Sequence, residues 1–151
     1  ITAAATLASA FLASGASARF NLVRQNNTGV YWGQNAGYDT FGTGHQKDLY
    51  TTCRDRAIDV VDVSFVTNFR GKDGWPILNL SDQCWTFMTN KTTGLQMDVL
   101  ECPTIGDHIK KCQALGKKVL LSLGGATYRS PGWATVAEAR SAGNDIFAMF
   151  A

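Results

Sequence analysis

Charge is scarce in this chain and nearly balanced. Fourteen Lys and Arg residues face twelve Asp and Glu, a net charge of +2 over 151 residues. So small an excess excludes an electrostatic nucleic-acid binder. No C-x-x-C pair is present, and His45 and His108 stand at no zinc-ligand spacing from the four cysteines. Long hydrophobic runs are missing too: the uncharged start is too short and alanine-rich to span a membrane. Gly42-Thr43-Gly44 lacks the third glycine of a dinucleotide fingerprint. Gly116-Lys117 lacks the earlier glycine and the following Ser or Thr of a phosphate-binding loop, and Gly-x-Ser-x-Gly does not occur. No metal or cofactor is expected. What remains is 45% hydrophobic and 17% charged, the composition of one globular domain.

The first residues differ from the rest. Residues 1–18 carry no charge, and Ala16-Ser17-Ala18 fits the small-residue rule for signal cleavage. They read as a secretory signal that begins without its basic start, followed by a linker over 19–27. Cys53, Cys84, Cys102 and Cys112 form an even set, which behind such a start reads as two disulfides. Glycosylation sequons begin at Asn26, Asn79 and Asn90. The chain is expected outside the cell or in the cell wall, with no membrane span once mature.

The strongest local signal is Lys117 to Ala126. Val119 to Leu123 is apolar except for Ser122, with glycine at Gly116, Gly124 and Gly125. This predicts a strand buried on both faces. The paired glycines either bring the backbone close to a ligand or only serve the turn. Gly29 to Trp32 and Ile58 to Val66 read as further strands. His45 to Arg56 reads as a helix with Leu49, Tyr50, Cys53 and Ala57 on one side. Pro103 opens another, carried by Ile105, Ile109, Cys112 and Leu115. The stretch 68–102 reads as a long irregular loop, and 133–151 as a last helix. The alternation of strand and helix predicts a parallel sheet with helices against it.

In three blocks the sequence resembles the family 18 glycoside hydrolases of the fungal and plant class III chitinase type. The blocks are Tyr31-Trp32-Gly33-Gln34-Asn35, then Ile77-Leu78-Asn79-Leu80 ahead of Cys84, then Gly116 to Gly125. They stand in the family's order with all four cysteines in family-like positions. The resemblance covers about 28–151 and implies an incomplete catalytic domain, about three βα units of a (β/α)8 TIM barrel. It implies a substrate of chitin or chito-oligosaccharide, cleaved with retention by a substrate-assisted mechanism.

By the same resemblance, Tyr31, Gln34, Phe65 and Asn79 line sugar sites. Gly124, Gly125 and Ala126 give a close backbone approach, and Ser122 supports acidic residues on a neighbouring strand. The expected disulfides are Cys53–Cys112 and Cys84–Cys102, one of three connectivities. The family's acidic motif, D-x-x-D-x-D-x-E, is absent. Asp59-Val60-Val61-Asp62 matches its first two Asp positions, but Ser64 and Val66 replace the rest. Asp59 and Asp62 therefore read as structural carboxylates, and Asp98 and Glu101 have no motif support. No catalytic residue is assigned, the catalytic acid is expected beyond Ala151, and the chain alone is expected to be inactive. The alternative is a non-catalytic carbohydrate-binding or enzyme-inhibiting relative on the same barrel. With so few strands, Phe65, Val119 and Leu121 are expected to face water or another chain.

Overall fold

The computed structural model describes residues 20–34, 46–126, 128 and 132–150. Residues 1–18, expected above to be a signal, the glycine-rich loop 36–44 and His45 lie outside these residues.

Three strands run parallel: β1 (Gly29–Trp32), β2 (Val60–Asn68) and β6 (Lys118–Leu123). β2 is central: Val61, Val63 and Phe65 alternate as apolar residues along it, and its two edges are taken by β1 and β6. Val61, Val63 and Val66 are buried, and Val61 and Val63 with Trp32 meet two helices. These are α1 (Leu49–Cys53) and α2 (Pro103–Ala114). Leu49, Cys53, Ile105 and Cys112 supply the helix side of this core. The bond Cys53–Cys112 crosses it and joins the two helices, and Cys84–Cys102 closes the segment before α2. These are the two expected pairs. α3 (Val136–Phe150) follows β6, and Thr135 caps it by accepting from the Glu138 N–H at 3.2 Å.

Several expectations are corrected. α1 is shorter than residues 45–56. Asp48 caps its start, accepting from the Thr51 N–H at 2.9 Å, and the Asp55 carboxylate takes the Ala57 N–H into a turn. The stretch 68–102 is not one irregular loop. It holds β3 (Ile77–Leu78), a 3-10 turn at Ser81–Gln83, and the pair β4 (Phe87–Thr89) and β5 (Gln96–Leu100). β3 runs antiparallel to β2, so the sheet is mixed.

β6 is not buried on both faces. Leu120 is 44% exposed and Leu123 50%, while Val119 packs on the core. The alternation of side chains sends successive residues to opposite faces, and helices cover one face only. Leu120 thus faces away from Val119 and the core, while Leu123, on the same side of the strand as Val119, is exposed at its end. Leu121 is only half-buried, and Phe65 packs on other groups described below. Among the described residues no helix is long and apolar enough to cross a membrane.

Candidate functional site

The site begins where β1 ends. Trp32 is the last residue of β1 and lies opposite Val63. Farther along the same edge of β2, β3 pairs from Val66 onward, and Asn79 exchanges two backbone bonds of 2.9 Å with Phe65. The Ser64 carbonyl falls in the gap between β1 and β3. Gln34 fills it: its Nε2 donates to the Ser64 carbonyl at 2.7 Å and to the Asn79 carbonyl at 3.0 Å. A buried carbonyl without a donor is costly, so the amide has a structural use here as well as a position at the surface.

Gly33 makes this possible. Its φ is +111°, and a Cβ there would stand 2.6 Å from the Ser64 carbonyl oxygen. Only glycine allows both the turn and the approach. The Gly33 N–H donates to Gln46 Oε1 at 2.7 Å, which ties the turn to the start of α1.

An aromatic row crosses the sheet beside this bridge. The Tyr31 ring is 65% exposed, and its centroid lies 5.6 Å from that of Phe65. On the far side, the Phe65 ring covers Gly125. A Cβ at Gly125 would be 3.0 Å from Phe65 Cγ, and φ there is +87°. Gly124, at φ +106°, has open space instead, and its N–H donates to the Val66 carbonyl at 2.9 Å. The peptide between Ser64 and Phe65 is cis.

The structure therefore brings Tyr31, Gln34, Phe65, Asn79, Gly124, Gly125 and Ala126 to the carboxyl side of the parallel strands. Gln34, Asn79, Gly125 and Ala126 are exposed. Ser122 is half-buried, lies in register with Ser64 and stands on β6 just before the glycines. The arrangement can stack on a flat apolar face and accept or donate hydrogen bonds around it. It offers no acid poised for proton transfer. Asp59 Oδ2 takes the Thr28 N–H at 2.9 Å, Asp98 pairs with Lys72 at 2.9 Å, and Asp62 lies level with Tyr31 inside the sheet. Among the described residues no group of three or more His, Cys, Asp or Glu is placed to hold a metal.

The Asn79 side chain accepts from the Ser81 N–H at 2.9 Å, closing a turn, and Asn90 does the same for Thr92 and Thr93. Asn26 is exposed before β1. Two residues of the neighbourhood were not legible beforehand. Gly33 carries no chemical signal of its own in the sequence, and Trp85, which is 70% exposed, falls in no periodic pattern.

A cavity of about 200 Å³ opens beside Asn79, lined also by Thr67, Ser81, Trp85 and Asp98. A larger one of about 820 Å³ lies between the helix side of the sheet, α2 and α3. Its walls, among them Val63, Ile109, Leu121 and Met149, are mainly apolar and converge few polar groups.

No family model matches the chain. Relatives do. The chain is 36% identical over 157 residues to Endochitinase 33 of Trichoderma harzianum, covering 99% of this chain and 43% of that protein. It is 31% identical over 138 residues to a class III chitinase of Arthroderma benhamiae, covering 89% and 33%. Its fold superposes on the crystal structure of the ICChI chitinase from Ipomoea carnea with a TM-score of 0.56 and 29% identity, covering 79% of this chain and 36% of that one. The chain thus spans less than half the length of the relatives it matches. On sequence and fold together, the chain belongs to the class III chitinase family, the family 18 glycoside hydrolases.

Proposed function

We propose that the carboxyl side of β1, β2 and β6 forms part of the sugar cleft of a chitinase. The protein would hydrolyse β-1,4-linked N-acetylglucosamine polymers with retention, using the substrate's own acetamido group as nucleophile. The strands would be about three βα units of a (β/α)8 barrel. The observation that carries the reading is the bridge from Gln34 to Ser64 and Asn79, with the Tyr31–Phe65 pair beside it. Apolar rings flanked by amides suit a sugar, which has C–H faces and hydroxyl edges. Similarity to chitinases at 31% and 36% identity supports the same substrate class.

The proton donor would come from outside these 151 residues, since no described carboxylate stands on the cleft in a form that could supply it. These residues alone would bind without cutting. Two disulfides support an extracellular or cell-wall location, because oxidising compartments let such bonds persist. The residues 1–18 would be the signal.

The test is isothermal titration of the full-length protein with tri-N-acetylchitotriose, thio-linked to resist cleavage. Binding is expected, and Tyr31→Ala should weaken it several-fold. No binding by the parent protein would overturn the reading.

A further inference from the structure

Trp85 has no place in the core, yet it is held firmly. It follows Cys84, which is bonded to Cys102, and precedes Thr86, whose carbonyl accepts from the Glu101 N–H at 2.8 Å. Two ties to one short segment on either side of the indole fix where its backbone stands. The side chain is nonetheless 70% exposed. A large ring is thus kept in water on an anchored segment.

The surroundings say which ligand. Trp85 lines the cavity of about 200 Å³ together with Asn79, Ser81, Thr67 and Asp98. Most of its lining is apolar, with Ile77, Leu78, Leu80, Phe87 and Leu100 beside the indole, and the four polar residues add an amide, hydroxyls and a carboxylate. Asp98 is already paired with Lys72 at 2.9 Å, so the cavity sets no demand for a charged ligand. Indole faces attract the slightly positive C–H faces of a sugar ring, and the amide and hydroxyls suit its O–H groups. The volume falls below that of ordinary drug-sized pockets and admits about one sugar unit. Asn79 belongs to both places: Gln34 holds its carbonyl, and the cavity wall includes it.

We propose that Trp85 is a substrate-positioning residue that extends the cleft past Asn79, stacking on an outer N-acetylglucosamine unit of a bound chitin chain. This rests on the chitin reading above. Trp85 would make longer chains bind better than short ones and would leave short ones unaffected.

The experiment compares thio-linked tri- and hexasaccharides of N-acetylglucosamine on the full-length protein by isothermal titration. The parent protein should bind the hexasaccharide more tightly than the trisaccharide. Trp85→Ala should lose about fivefold for the hexasaccharide and nothing for the trisaccharide. Trp85→Leu, which keeps apolar bulk without a ring face, should behave like Trp85→Ala, and Trp85→Tyr should recover most of the gain. Equal hexasaccharide binding by the parent and Trp85→Ala overturns this proposal while leaving the chitin reading intact. Equal weakening of both sugars overturns it as well, because that marks a general defect. A parent protein that binds neither sugar overturns the chitin reading and this proposal with it.

Discussion

The side-chain amide of Gln34 sits 2.7 Å from the carbonyl oxygen of Ser64, in the gap that β1 leaves and β3 does not reach. One side chain thus completes the central strand and stands on the candidate cleft. Gln34→Ala should strip the side-chain donor from the Ser64 carbonyl, while the Asn79 carbonyl keeps the Phe65 N–H. Leaving such a group unsatisfied costs about 1–3 kcal/mol. Gln34→Glu should be at least as damaging, since a carboxylate would face two carbonyl oxygens. Thermal melting of both variants checks this; an unchanged melting point for either would contradict it.

Gly124 and Gly125 should respond differently to alanine. Both have positive φ, so both pay backbone strain. Only at Gly125 does the new methyl meet the Phe65 ring, at 3.0 Å. Gly125→Ala should therefore displace that ring and weaken chito-oligosaccharide binding several-fold. Gly124→Ala should lower the melting point with a smaller effect on binding. Titration of both variants decides it.

The two disulfides should open in order. Cys53 and Cys112 are fully buried, whereas Cys84 and Cys102 are half-buried. Mild reductant should therefore open Cys84–Cys102 first, as read by alkylation and peptide mapping. Loss of Cys53–Cys112 should cost more stability. It spans 59 residues against 18, worth about 4 against about 3 kcal/mol by loop entropy.

Asp48 should give the protein an acid-sensitive cap. The Thr51 hydroxyl and N–H both donate to its carboxylate and hold its pKa below the ordinary carboxylate value, with a smaller pull from His108. A depressed folded-state pKa gives stability that is present above the unfolded value and lost as pH falls through the folded one. Asp48→Ala should lower stability at neutral pH by about 0.5–1 kcal/mol, the low end for a cap on so short a helix. The difference from the parent should shrink as the pH drops below about 4. Melting curves from pH 7 to about 3 measure it.

Sequon use should follow the cleft. Asn90 sits on the turn between β4 and β5, and Asn26 is exposed before β1. Asn79 shares the small cavity with Trp85, and both its backbone groups are paired with Phe65. Glycopeptide mapping of protein from a eukaryotic host should find Asn90 occupied and Asn79 free. A full glycan on Asn79 would contradict the sugar cleft.

The elements were legible where local pattern and tertiary packing agree. Glycine and charge bracket β6, and Pro103 with Ile105, Ile109 and Cys112 marks α2. The segment 68–102 was not legible, because β3 holds two residues and β4 three, too few for any period to show. The burial of β6 was misjudged because an apolar run does not say how many faces will be covered. At the site, Tyr31, Gln34 and Asn79 came from resemblance, not from chemistry visible in the chain. Trp85 gave no signal, since an aromatic beside a cysteine is as consistent with a core as with a surface.

The sequence alone determined the alternation of strands and helices, the small charge, and the absence of the acidic motif, since these rest on residue type and spacing. Only the tertiary structure decided that Gln34 meets Ser64 and Asn79, residues 30 and 45 positions away, and that Phe65 covers Gly125. Such contacts depend on where β1 stops along the edge of β2. That register is a property of strands packed together, and no single strand carries it.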